Sequence, residues 1–256
     1  MSDLEVARAD RVLTLTLDRP DQLNALTDEL ADDLASELEA ATTYGDVRVV
    51  VLRGAGRAFC AGADIAGADA PLQLDVRALD RANRIVRAIT RLDKPVVAAV
   101  HGPAAGVGCS MVLACDLAVA AESASFLLAF ARIGLMPDGG SSLSVAASIG
   151  RARAMRMALL AEPLSGREAY DAGLVSHLAD ADAFETVVAD VVGRLAAGAP
   201  VAQAATKRAV NASVYAGLDD ALERERTSQT ILLRTRDAAE GRQAFTERRT
   251  PDFEGE

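Results

Sequence analysis

The chain has 256 residues, half of them hydrophobic and a quarter charged, which suits one sizeable folded domain whose core needs no cross-links. Its formal net charge of −10 sets it against phosphate backbones and excludes nucleic acid as an expected partner. Only two of its 27 basic residues are lysines, Lys94 and Lys207, so Schiff-base chemistry has few candidates.

Val12, Leu13, Leu15 and Leu17 alternate with Thr14 and Thr16 and predict a strand, which Arg19-Pro20-Asp21 ends. Thr27 then offers an N-cap, with Asp28 and Glu29 in the first turn, where the helix dipole favours acids. Leu30, Leu34, Leu38 and Ala41 follow at helical spacing, which predicts a helix over 28–43 with one buried face. Residues 47–52, apolar and mostly β-branched apart from Arg48, are a run of the kind that forms a buried strand. The same grammar repeats: Ala78, Ala82, Ile85, Ile89 and Leu92 mark a helix, and 95–100 a second buried strand. A glycine-rich turn over 102–108 opens a helix through 111–113, and a third strand follows at 117–119. A further helix includes 144–149, and a short apolar strand follows Gly173.

From about residue 183 the pattern is purely helical. Phe184, Val187, Val188, Val191 and Leu195 form one stripe, and 202–210 and 218–233 predict further helices. The chain therefore reads as an α/β core of stacked, repeated units over 1–197 and a C-terminal helical region over 198–256. Such a tail buries itself on the body or on a neighbouring subunit, so an oligomer is expected. Cys60, Cys109 and Cys115 are odd in number and lack metal-site spacing, so they read as small buried hydrophobes and no metal is expected. Met1-Ser2-Asp3 begins no signal-like segment, and no run of about 18 apolar residues occurs. The expectation is a cytoplasmic protein with no membrane partner.

Two loops carry the chemistry. Ala58-Phe59-Cys60-Ala61-Gly62-Ala63-Asp64-Ile65 follows the 47–52 strand, and its small residues let a ligand approach the main chain. Val100-His101-Gly102-Pro103-Ala104-Ala105-Gly106-Val107-Gly108-Cys109 follows the next strand and opens a helix, where free amides favour negative charge. Two such loops from adjacent units can aim two N–H groups at one oxygen, the geometry of an oxyanion hole. Other readings of the glycines fail. Met111 stands where a dinucleotide fingerprint needs its third glycine, and neither a Gly-Lys-Ser/Thr loop nor a Gly-x-Ser-x-Gly elbow occurs.

These segments, with Arg19-Pro20 … Asn24-Ala25-Leu26, Lys94-Pro95, Cys115-Asp116, Ile133-Gly134-Leu135-Met136-Pro137-Asp138-Gly139-Gly140, Gly173-Leu174-Val175 and Ala244-Phe245 … Arg248-Arg249, resemble the enoyl-CoA hydratase/isomerase family, the crotonases. Each piece is common, but their order and spacing over nearly the whole chain are specific. The resemblance implies a spiral of ββα units with a C-terminal helical trimerisation region, assembled as a homotrimer or dimer of trimers. It implies that the thioester carbonyl of an acyl-CoA accepts hydrogen bonds from the amides of Ala63 and Val107; the usual residue at the second position is Gly. The adenine and pantetheine parts of the ligand would run along Ala25, Ala61, Asp64 and Ile65. Phe245 and Arg248 match places that reach the nucleotide of a neighbouring subunit's ligand. No cofactor is implied beyond the coenzyme A that the substrate carries.

Hydratases of this family use two glutamates, and this chain has Ser110 and Phe130 at the matching places. The resemblance at Asp138 is instead to the isomerase branch, with enoyl-CoA and epoxyphenylacetyl-CoA isomerases both similar around it. It implies an Asp138 that takes a proton from C2 of a 3-enoyl thioester and returns it at C4, its pKa raised by an apolar wall from Phe126, Leu127 and Phe130. Read without the family, Pro137-Asp138-Gly139-Gly140 is an ordinary turn, and Asp138 could simply cap the helix that follows. Three alternatives remain. A related dehalogenase uses an aspartate nucleophile with a Trp and a His, but this chain lacks Trp and has only His101 and His177, which read as structural. A residual hydratase would hold water on Asp138 or Ser110. A non-catalytic homologue would bind acyl-CoA without exchanging C2 protons. The acyl group itself depends on a pocket wall expected from residues 66–90.

Overall fold

The computed structural model describes residues 2–65 and 76–256. A hairpin opens the fold, with β1 (Leu4–Ala9) antiparallel to β2 (Val12–Leu17). β3 (Val49–Gly54), β4 (Val96–Val100), β6 (Leu117–Ala121) and β9 (His177–Ala179) then add in parallel, giving a six-stranded sheet in the order β1-β2-β3-β4-β6-β9. The alternation in β2 buries Leu13, Leu15 and Leu17 and leaves Val12, Thr14 and Thr16 half-buried. β3 and β4 are covered on both faces, which is why they read as unbroken apolar runs. Val50, Leu52, Val96 and Ala98 join one core with α1 (Asp28–Ala40) and α2 (Val76–Arg91), while Val49, Val51, Val97 and Ala99 meet α7 (Phe184–Ala197) on the other face.

A second, smaller layer positions the site. Short strands β5 (Pro103–Ala105), β7 (Ser125–Leu127) and β8 (Leu164–Ser165) pair in that order. Isolated parallel bridges Cys60↔Ala104 and Leu26↔Ala63 extend the layer backwards along the chain. Successive turns of the chain thus lay 26, 60–63, 103–105 and 125–127 side by side. The expected turn over 102–108 contains β5, and its helix, α3 (Val107–Ala114), starts at Val107. Strands of two or three residues are too short to show a periodicity.

The remaining helices are α4 (Ser141–Ile149), α5 (Arg151–Leu160), α6 (Gly166–Ala172), α8 (Pro200–Val214), α9 (Leu218–Leu232) and α10 (Arg236–Glu247). Thr27 caps α1 as expected, accepting from the Leu30 amide at 3.1 Å, while the expected last turn of that helix, 41–43, is 3-10. Both lysines are staples. Lys94 Nζ donates to the carbonyls of Ala41 and Tyr44, and buried Lys207 Nζ donates to those of Ile89 and Lys94 while pairing with Asp116 at 2.7 Å. Lys207 thereby ties α8 to the core. Among the described residues no single helix is long and apolar enough to cross a membrane.

Candidate active site

The first loop is held from beneath by a fully buried asparagine. Asn24 Nδ2 donates to the carbonyls of Ala55, Ala58 and Phe59, and its Oδ1 accepts from the Arg19 amide at 2.9 Å. Arg19 in turn donates to the Ala25 carbonyl and pairs with Asp64 at 3.0 Å. The segment is pinned on one side by Leu26, whose amide donates to Gly62 and whose carbonyl accepts from Asp64. Those two bonds flank Ala63 and turn its own N–H to the opposite side.

The second loop lies against the first. Cys60 accepts from the Ala105 amide at 2.9 Å and donates to Pro103 at 3.2 Å. Gly106, at φ 53°, is the N-cap of α3, so the amide of Val107 is one of the helix's unpaired first donors. Close approach explains the glycines: a Cβ at Gly62 would lie 2.9 Å from the Ala105 carbonyl oxygen, and one at Gly108 would collide with the Cys60 carbonyl. Cys60 and Cys109 sit fully buried in this seam, their thiols pushed up to about 12 by desolvation. Ala63 and Val107 line one pocket of about 710 Å³.

Asp138 lines the same pocket and is 8% exposed. It stands on a turn that packs on the start of α3: a Cβ at Gly139 would lie 2.9 Å from Ser110 Cβ and 3.7 Å from Val107 Cγ2. Burial pushes its carboxyl up to about 7; the hydrogen bond from Gln229 opposes that rise and the charge of Glu225 adds to it. Oδ2 accepts from Gln229 Nε2 at 3.1 Å, and Oδ1 is buried without a partner. Asp138 is not the cap of α4. Its side chain bonds Gln229, while the helix-start amides of Gly140 and Ser142 donate to buried Glu225 at 2.7 and 3.0 Å. A buried carboxyl raised toward neutrality, in one pocket with Ala63 and Val107, can move a proton on a carbon whose charge spreads to a carbonyl oxygen.

The expected ligand-binding residues Ala25, Ala61, Asp64, Ile65, Phe245 and Arg248 all line this pocket. Phe245 and Arg248 do so within their own chain. Exposed Arg57, Arg132 and Arg248 give an acidic chain a cationic rim at this place. Leu127 and Phe130 form the apolar wall, but Phe126 is fully buried in the core and does not reach it. Ser110 is turned away too, its hydroxyl donating to the Asp138 carbonyl at 2.8 Å. Part of the wall expected from 66–90 lies outside the described residues, at 66–75. The sequence reading missed Glu225 and Gln229. Their signal was positional, since both fall at helical spacing in line with Leu218 and Leu222, whereas Asp219, Asp220, Glu223 and Arg224 are exposed.

The family model for enoyl-CoA hydratase/isomerase matches residues 7–256. The chain belongs to the enoyl-CoA hydratase/isomerase family. It is 38% identical over the full length of both chains to a 2,3-dehydroadipyl-CoA hydratase of Escherichia coli K12. It is 36% identical over 95% of each chain to a 1,2-epoxyphenylacetyl-CoA isomerase of the same organism. A crystal structure of an enoyl-CoA hydratase from Mycobacterium avium subsp. paratuberculosis K-10 superposes with a TM-score of 0.94 at 48% identity, covering 99% of each chain. The crotonase family and fold implied by the motifs are therefore established, and the relatives carry both hydratase and isomerase names.

Proposed function

We propose that this crotonase is an isomerase that converts a 3-enoyl-CoA to a 2-enoyl-CoA, or rearranges an epoxyphenylacetyl-type thioester, with Asp138 as its single acid/base. One observation carries the reading: among the described residues lining the pocket, Asp138 is the only buried carboxylate, the other two being Asp21 and the Arg19-paired Asp64. The thioester oxygen accepts from the amides of Ala63 and Val107. Asp138 removes a C2 proton, the charge delocalises into a dienolate held on those amides, and the protonated Asp138 delivers the proton to C4. One preorganised donor of this kind is worth about 2.7–4 kcal/mol to the developing oxyanion. Ala25, Ala61, Asp64 and Ile65 carry the adenine and pantetheine, and Phe245 and Arg248 the nucleotide end.

Water addition to a 2-enoyl-CoA is the second reading, favoured by the hydratase names among the relatives. It needs a second group to hold the water, and Ser110 and Phe130 supply no carboxylate. The same site used only to bind acyl-CoA would leave C2 protons unexchanged. Incubation with 3-enoyl-, 2-enoyl- and epoxyphenylacetyl-CoA, with products separated by mass and retention, decides between them. Asp138→Ala and Asp138→Asn should abolish isomerisation and C2-proton exchange in heavy water; near-native turnover in either removes Asp138 from the mechanism. A homotrimer or dimer of trimers is proposed as the assembly, supported by exposed Val201, Val210 and Val214 along α8, and sedimentation measures it.

A further inference from the structure

Two buried polar side chains of α9, Glu225 and Gln229, have no part in the reaction as written. They lie four residues apart and so share one face of the helix, turned to the segment 136–142. Gln229 binds that segment three times. Its Oε1 accepts from the Met136 amide at 3.1 Å, and its Nε2 donates to the Met136 carbonyl at 2.8 Å and to Asp138 Oδ2 at 3.1 Å. The amide orientation is fixed by these partners. A backbone N–H can only donate, so Oε1 must face Met136, and Nε2 is left facing two oxygens. Glu225 holds the next stretch through the amides of Gly140 and Ser142, and Ser110 and Ser141 hydroxyls donate to the Asp138 carbonyl.

We propose that Gln229 is a positioning residue for the acid/base: it locks Asp138 Oδ2 and thereby directs the travelling proton to Oδ1. The inference rests on Asp138 being the proton shuttle. Oδ1 is the carboxylate oxygen left buried and unpartnered. The donor on Oδ2 serves both states of the cycle. It stabilises the ionised carboxylate, and when Oδ1 carries the proton Oδ2 is a carbonyl that accepts the same bond. Oδ2 cannot hand a proton to Gln229, because the atom that faces it is the amide nitrogen Nε2, which only donates. The shuttle therefore runs without a change of rotamer, which keeps the carboxyl aligned between C2 and C4. It also makes the C-terminal helical region part of the catalytic apparatus.

The charges facing Asp138 among the described residues are few. Glu225 repels its ionised form from α9; of the other charged side chains lining the pocket, Asp64 pairs with Arg19, Arg132 donates to the Ala161 carbonyl, and Asp21, Arg57 and Arg248 are exposed. Removing the Gln229 donor should thus raise the pH at which Asp138 ionises.

The test uses the full-length enzyme with a 3-enoyl-CoA and two near-isosteric variants. Gln229→Met removes every polar contact. Gln229→Glu keeps the acceptor for Met136 but replaces the donor with a repelling oxygen. Both should lower kcat by about tenfold to a hundredfold, the worth of one hydrogen bond to a charged group, with KM held within about threefold. The acidic limb of kcat should move to higher pH, further in Gln229→Glu. Wild-type kcat and pH limb in both variants, or a loss confined to KM, overturns the inference. Asp138→Asn is run beside them. If it is inactive while the Gln229 variants match wild type, the positioning role fails and the shuttle stands; if it is active, the shuttle itself fails. Should either variant unfold, the native enzyme carries the test. Among five glutamine side chains, one amide resonance must titrate with the midpoint of the kcat limb; if none does, the inference is overturned.

Discussion

The Ser110 hydroxyl donates to the carbonyl oxygen of Asp138 at 2.8 Å. The residue at the place of a hydratase glutamate is therefore a fastener for the turn that carries Asp138. The same oxygen also accepts from the Ser141 hydroxyl and amide. Ser110→Ala should thus be mild, costing about 1 kcal/mol or less because two donors remain. Ser110→Glu forces a carboxylate against Gly139, where space for even a methyl is short. Overpacking should cost about 1–3 kcal/mol, or several degrees of melting temperature, and isomerase turnover should fall without any gain of hydration. Water addition to a 2-enoyl-CoA by Ser110→Glu would mean that position 110 does open to the pocket.

The pH profile follows from Asp138. Proton removal needs the ionised carboxylate, and burial holds its pKa up at about 7 against an ordinary 3.8. The kcat/KM for isomerisation should therefore rise through a single limb near pH 7 in the free enzyme. A limb near pH 4 would mean a solvated base and a different residue.

The same shift has a stability consequence of opposite sense. A carboxyl with a raised folded-state pKa binds more protons folded than unfolded between about pH 4 and 7, so stability falls as pH rises through that window. Each pKa unit is about 1.4 kcal/mol, so ionised Asp138 costs the fold on the order of a few kcal/mol above pH 7. Asp138→Asn is never charged there. It should melt higher than wild type at pH 8 and lose that advantage at pH 4, while being inactive at both. Equal melting curves for the two proteins at pH 8 would mean that Asp138 is not desolvated in solution.

The proposed oxyanion hole came from the family resemblance, which set Ala63 and Val107 in it; the residues alone announce only small side chains in one loop and a helix start in the other. β3, β4 and β6 were legible because burial leaves an apolar run, and β2 because it alternates; β1, exposed along all but Leu4, carries neither signal. The layer of β5, β7 and β8 was not legible either, since its order comes from stacking of chain segments distant in sequence. Glu225 and Gln229 were hidden for a related reason. Nothing near them in sequence shows that their helix lies on the 136–142 turn, and a polar residue on an apolar stripe reads as an imperfection until its partner is in view. Phe126 and Leu127 were both placed on the pocket wall, but neighbours in a strand point to opposite faces, so only Leu127 reaches it.

The role of the Val107 amide can be tested without touching its side chain. Gly106 holds φ 53° and ψ −129°, a conformation essentially reserved for glycine. A Cβ there would meet nothing closer than 3.8 Å, so Gly106→Ala suffers no collision and is strained through its backbone alone. The strain should relax by rotating the peptide that carries the Val107 N–H. Turnover should fall by about 10²–10³, the effect of one lost oxyanion donor, while stability drops by only about 1–3 kcal/mol. Gly108→Ala is the contrast. Its Cβ collides with the Cys60 carbonyl, so it pries the two loops apart and should lose stability and activity together. Melting curves and turnover on a 3-enoyl-CoA separate the two patterns. Native turnover in Gly106→Ala, with the strain visible in its melting temperature, would remove the Val107 amide from the oxyanion hole and leave Ala63 to be paired with another donor.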